Sequence, residues 1–223
     1  MAPVRSMRLA GLGAVLLAAA CGGGGGGGMG PCTPGAATQL VKNAGDAQAW
    51  YFNNPLPAAL SVKALDASNC AVPGVVVNWA VASGGGGVSS AQSTTNASGV
   101  ASVNDSVGGS TPQSVTATPA ITTLPTLTFS VTAATPPTSG AVSLKNTAFN
   151  PASVVVQSGG TVTWTWNDGI QHNVTFTSGP TPRPADSPTQ TTGTYPGTFT
   201  TVGTYGYHCT IHGGMDGTVV VVH

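Results

Sequence analysis

Threonine alternates with bulky apolar residues along Thr161-Val162-Thr163-Trp164-Thr165-Trp166, and this two-residue period is the tightest constraint on the fold. An apolar side chain at every second position makes one dry and one wet face only in an extended chain; a helix would scatter the same residues around its circumference. Short apolar runs of similar character recur at 60–65, 75–81, 99–103, 126–132, 154–156, 198–202, 204–209 and 217–222. Between them stand clusters of Gly, Asn, Asp and Ser at 66–69, 83–87, 96–99 and 108–109, the residues that turns require. No stretch carries a helical period. The expected class is all-β, with two β-rich units in sequence, the first of which reads as a sandwich.

Composition narrows the function. Only 5% of residues are charged and the formal net charge is zero, so no basic surface for nucleic acid is expected. The chain has no glutamate, and its six acidic residues are scattered aspartates, a poor basis for paired-carboxylate catalysis. No G-x-S-x-G elbow is present, and an enzyme is not expected.

The first residues read as an export signal (1–20). Arg5 and Arg8 precede an apolar run at 9–20 that is short for a membrane span. It ends in L-L-A-A-A-C-G, which resembles a bacterial lipoprotein cleavage site with Cys21 as the lipidated residue; Ala18-x-Ala20 also fits ordinary signal cleavage. The glycine tract at 22–28 has no strand before it and no helix after it, so it reads as part of a flexible tether over 21–37 and not as a phosphate loop. A Thr/Ser/Pro-rich stretch at 177–190 reads as an exposed loop.

The chain has four cysteines and four histidines. Cys209, His212 and Met215 stand as C-T-I-H-G-G-M, and His172 stands upstream in G-I-Q-H-N-V. A thiolate, two imidazoles and a thioether are the ligand set of a blue-copper electron-transfer site, in which two His and one Cys lie in a plane with a weak axial Met. Soft sulfur favours Cu(I), and imidazole suits Cu(II). With Cys21 assigned to lipid and Cys209 to metal, Cys32 and Cys70 remain. In an exported chain they are candidates for a disulfide, two separate thiols being the other reading. His208 is expected to face solvent and His223 to be idle.

Two resemblances organise these features. Residues 38–134, with L-S-V-K-A-L-D-A-S-N-C-A-V-P-G-V-V-V-N-W-A-V and T-T-N-A-S-G-V-A-S-V, resemble bacterial Ig-like repeats of the invasin/intimin type, which implies a spacer sandwich without catalysis. Residues 135–140 follow as a linker stiffened by Pro136 and Pro137. Residues 141–223 resemble the plastocyanin/amicyanin group of cupredoxins through F-N-P, V-V-V-Q-S-G-G-T-V-T-W, D-G-I-Q-H-N-V and G-T-Y-G-Y-H-C-T-I-H-G-G-M-D-G-T-V-V-V. The C-x-x-H-x-x-M spacing matches the short ligand loop of amicyanins. The resemblance implies a Greek-key β-sandwich, one type 1 copper held by His172, Cys209, His212 and Met215, and Asn173 tying the ligand segments together by hydrogen bonds. Gly213 and Gly214 replace the proline common after the loop histidine and imply a softer loop.

The combined expectation is a protein of the bacterial cell envelope, periplasmic or anchored to the outer membrane by lipid. It would carry single electrons between a redox donor and acceptor and bind no nucleic acid. The alternatives are a cell-surface adhesion protein with a mainly structural copper domain, and a periplasmic copper-binding protein without redox turnover.

Overall fold

The alternation in the Thr/Trp segment becomes a central strand whose residues are buried at every second position from Gly160 to Trp166. The computed structural model describes residues 32–223, of which 33–223 form one compact unit. The expected signal segment, Cys21 and the glycine tract lie outside the described residues.

The first part comprises β1 (Gln39–Ala44), β2 (Gln48–Tyr51), β3 (Leu60–Leu65), β4 (Val76–Ser83), β5 (Gly86–Val88), β6 (Gln92–Thr94), β7 (Val100–Val103), β8 (Asp105–Val107), β9 (Gln113–Pro119) and β10 (Leu127–Ala134). Sheets ordered β1-β3-β7 and β2-β10-β9-β4-β6 form, with β5 and β8 paired separately. Their apolar faces share one core that includes Leu60, Val62, Val77, Trp79, Val115 and Phe129. Trp79 packs on Phe129 with ring centroids 5.9 Å apart and satisfies its indole N–H at Ser93 Oγ.

The second part comprises β11 (Ser139–Lys145), β12 (Ala148–Asn150), β13 (Ser153–Gln157), β14 (Gly160–Trp166), β15 (Thr175–Phe176), β16 (Gly193–Phe199), β17 (Gly203–His208) and β18 (Asp216–Val222). They form two four-stranded sheets, β12-β11-β14-β16 and β13-β18-β17-β15. A separate core fills the space between these sheets. Trp164 lies at its centre, fully buried, with Tyr207 edge-on at 5.3 Å and Phe176 at 6.0 Å. Such edge-to-face pairs add to the stabilisation from burial.

This architecture sets the site. β14 ends at Trp166 and leads through a short loop to His172, while β17 ends at His208, one residue before Cys209. Thr175 pairs with His208 and Phe176 with Tyr207. The pairing brings the segment after His172 alongside the end of β17, so both ligand-bearing stretches emerge at one end of the sandwich. The two parts of the chain meet at Asn54, whose buried side chain accepts from the His223 N–H at 2.8 Å.

Three expectations need correction. Ser139 and Gly140 are not linker: they pair with Thr161 and Val162. Pairing begins directly after the two prolines because the carbonyls of Pro137 and Thr138 already accept from Gln157 and Thr161. Gly140 belongs in the strand because a Cβ there would meet Val154 Cγ2 at 2.6 Å. The end of the expected tether is also tied down. Gly35 N donates to Asp66 Oδ2 at 2.8 Å and Ala37 packs on the first core. The strand expected at 198–202 is instead Gly193–Phe199. Pro196 argues against a central strand, but β16 is an edge strand and tolerates the missing N–H. The 177–190 segment is a mostly exposed loop, as expected, and it is anchored at buried Ser187, which bonds the backbone of Val174.

Truncating Trp164 should act on the second core alone. Trp164→Ala is expected to cost that core about 3–5 kcal/mol. Hydrogen exchange should show protection falling across β14, β17 and β18 while β3, β4 and β9 keep theirs. An equal loss in both sets of strands would mean that the two cores unfold as one.

Candidate metal centre

Backbone bonds fix the upstream histidine before any ligand is considered. His172 and Gln190 exchange N–H···O bonds of 3.0 and 3.1 Å, and the Trp166 indole N–H donates to the His172 carbonyl at 3.0 Å. The imidazole is fully buried. Its Nδ1 lies 3.1 Å from Nδ1 of His212, and its Nε2 lies 3.2 Å from Asp168 Oδ2.

The other candidates come from the loop between β17 and β18. Cys209 is a buried free thiol, and its Sγ lies 3.6 Å from His212 Nδ1. The donor atoms of His172, Cys209 and His212 all fall within 4.8 Å of one another. Cys209 and Met215 are buried, whereas His212 is half-buried, so His212 is the most exposed of the candidate donors. Cys209 N donates to the Met215 carbonyl at 3.0 Å, and Met215 N to the His212 carbonyl at 3.3 Å. These bonds close the seven-residue loop on itself. Gly214 takes φ +78°, a conformation that glycine adopts without a steric penalty.

Asn173 joins the two stretches. Its Oδ1 accepts from Thr210 N at 2.8 Å and its Nδ2 donates to Thr210 Oγ1 at 2.7 Å. His208, on the opposite pleat to Tyr207 and Cys209, is half-buried and stands outside the cluster.

The sequence pattern of the copper-binding proteins of the plastocyanin/azurin family matches residues 139–222. Plastocyanin from Scenedesmus fuscus is 40% identical over 83 residues, 33% of this chain and 85% of that protein. Amicyanin-alpha from Methylorubrum extorquens is 38% identical over 82 residues, 36% of this chain and 69% of that protein. Among solved structures, a reduced amicyanin variant is 36% identical with a TM-score of 0.34, covering 38% of this chain and 82% of that one. This chain belongs to the plastocyanin/azurin family of copper-binding proteins.

A family member should present donors that one first-row ion can reach together. Metal–nitrogen and metal–thiolate bonds run about 2.0–2.3 Å, so three such donors in one plane stand about 3.5–3.7 Å apart. The observed separations of 3.1 and 3.6 Å lie close to that value, and the donor set is the mixed nitrogen–sulfur set that suits copper.

Nothing in the sequence alone marks Asp168 as part of the site. Its carboxylate accepts from Ile170 N at 3.0 Å and Asn146 N at 2.8 Å as well as facing His172. Burial pushes its carboxyl up, but the hydrogen bonds from Ile170 N, His172 and Asn146 N outweigh burial and hold it below the ordinary value. Its place four residues before His172 becomes a signal only once the fold is known.

Removing the Asn173 side chain should loosen the join. Asn173→Ala is expected to cost about 1–3 kcal/mol, read from urea unfolding of the second core, with faster exchange of the Thr210 N–H. An unchanged Thr210 exchange rate would mean that other contacts hold the segments together.

Proposed function

We propose that the second sandwich, residues 139–223, binds one type 1 copper through His172, Cys209, His212 and Met215 and carries single electrons between a redox donor and a redox acceptor. The observation that carries this reading is the convergence of two imidazole nitrogens and one thiol within 4.8 Å at one end of the sandwich. Copper bound there would supply a one-electron Cu(I)/Cu(II) couple. The chain's own residues do the rest. The buried strands and the Asn173–Thr210 bonds hold the donors in place. Burial of His172, Cys209 and Met215 keeps water from the donors. The partly exposed His212 offers the route by which an electron reaches a partner. On this reading the residues of the cluster hold the metal, and the second sandwich acts as an electron carrier.

The same reading places the protein outside the cytoplasm, in the periplasm or on the outer membrane, held by lipid on Cys21. The first sandwich then acts as an Ig-like spacer over 38–134. In such an oxidising compartment a bond between Cys32 and Cys70 is expected.

Three variants test separate parts of this reading. Adding Cu(II) to the mature protein should give an intense visible thiolate-to-copper band that bleaches and returns reversibly. Cys209→Ser should abolish it, and full colour in that variant would contradict the ligand assignment. Met215→Leu should keep the colour and raise the reduction potential, because a more apolar pocket disfavours the more highly charged ion. Loss of all copper would show that Met215 binds strongly. Cys21→Ser should release the protein from membranes, and unchanged partition would mean that something other than lipid holds it.

A further inference from the structure

From the geometry around His172 we infer that Asp168 is a positioning residue, which holds the His172 ring in the tautomer that leaves Nδ1 free for the metal. The inference rests on the copper-site reading above. A neutral imidazole has one protonated nitrogen and one lone-pair nitrogen, and the hydrogen bond at one decides which is available at the other. Nδ1 of His172 faces His212 and the candidate centre, while Nε2 faces Asp168 Oδ2 at 3.2 Å. A carboxylate only accepts, so the proton belongs on Nε2 and the lone pair on Nδ1.

The carboxylate is itself held on both oxygens. Oδ1 accepts from Ile170 N, closing a turn through Gly169, and Oδ2 accepts from Asn146 N at the tip of the β11–β12 hairpin. Asn146 and Thr147 both take positive φ there, and this turn aims the Asn146 N–H at Asp168. The His172 backbone is pinned independently by Gln190 and Trp166, which leaves ring orientation as the freedom that Asp168 removes. The negative charge also favours the more highly charged copper ion, so Asp168 lowers the reduction potential. Partners of metal-binding histidines typically contribute 10–100-fold in metal affinity.

The test uses the full mature chain and D168A and D168N, all at one neutral pH. D168A removes the acceptor; D168N retains an oxygen for the turn but loses the charge, and serves if D168A fails to fold. Nitrogen-15 spectra of the copper-free protein should show His172 protonated at Nε2 in the wild type and shifted toward Nδ1 protonation in D168A. Chelator competition should show Cu(II) affinity falling about 10–100-fold in D168A, with a smaller loss in D168N. Cu(I) affinity should fall less, so the potential rises by about 59 mV for each tenfold by which the Cu(II) loss exceeds the Cu(I) loss. A wild-type His172 protonated at Nδ1, or folded variants with wild-type affinity and potential, would overturn the inference. A wild-type chain that binds no copper while D168A still shifts the tautomer would support Asp168's role and overturn the copper reading instead.

Discussion

Asn173 and Thr210 exchange two hydrogen bonds across 37 residues of sequence, and the candidate centre depends on that exchange. His172 follows a strand of one sheet, and Cys209, His212 and Met215 follow a strand of the other. Neither segment has regular secondary structure where the donors sit, so strand pairing alone does not align them. The side chain of Asn173 satisfies the Thr210 N–H and hydroxyl. With the Cys209–Met215 backbone bond it fixes the donor positions through protein contacts. Pre-set donors need little reorganisation when an electron moves, which is what an electron carrier requires of its fold.

The packing beneath the site serves the same end. Trp164, Tyr207, Phe176 and Phe199 form a continuous aromatic core directly below the ligand segments. Tyr207 stands two residues before Cys209 on β17, and Gly217 lies opposite it with no room for a Cβ. The first sandwich has its own core. The donor cluster found among the described residues lies wholly in the second sandwich, with Asn54 and His223 linking the two parts.

Much of this was legible in the sequence because it depends on local periodicity. The β14 alternation appears in the structure with the same residues inward, and β3 has the expected bounds. The candidate donors were legible because thiol, thioether and imidazole are rare in this chain and closely spaced. What the sequence hid depends on contacts between distant segments. Pro196 concealed an edge strand, and a Thr/Ser/Pro stretch concealed the pairing of Gln190 with His172. Asp168 gave no sign of reaching both His172 and the hairpin at Asn146. These positions are ordinary polar or turn residues until the topology sets them beside their partners.

The most direct test of the central claim is copper K-edge X-ray absorption on the full mature chain loaded with one equivalent of Cu(II). The account predicts one short sulfur scatterer and two imidazole nitrogens at about 2.0 Å, with the sulfur scatterer absent from Cys209→Ser. A shell of oxygen and nitrogen alone, unaltered by that substitution, would contradict it.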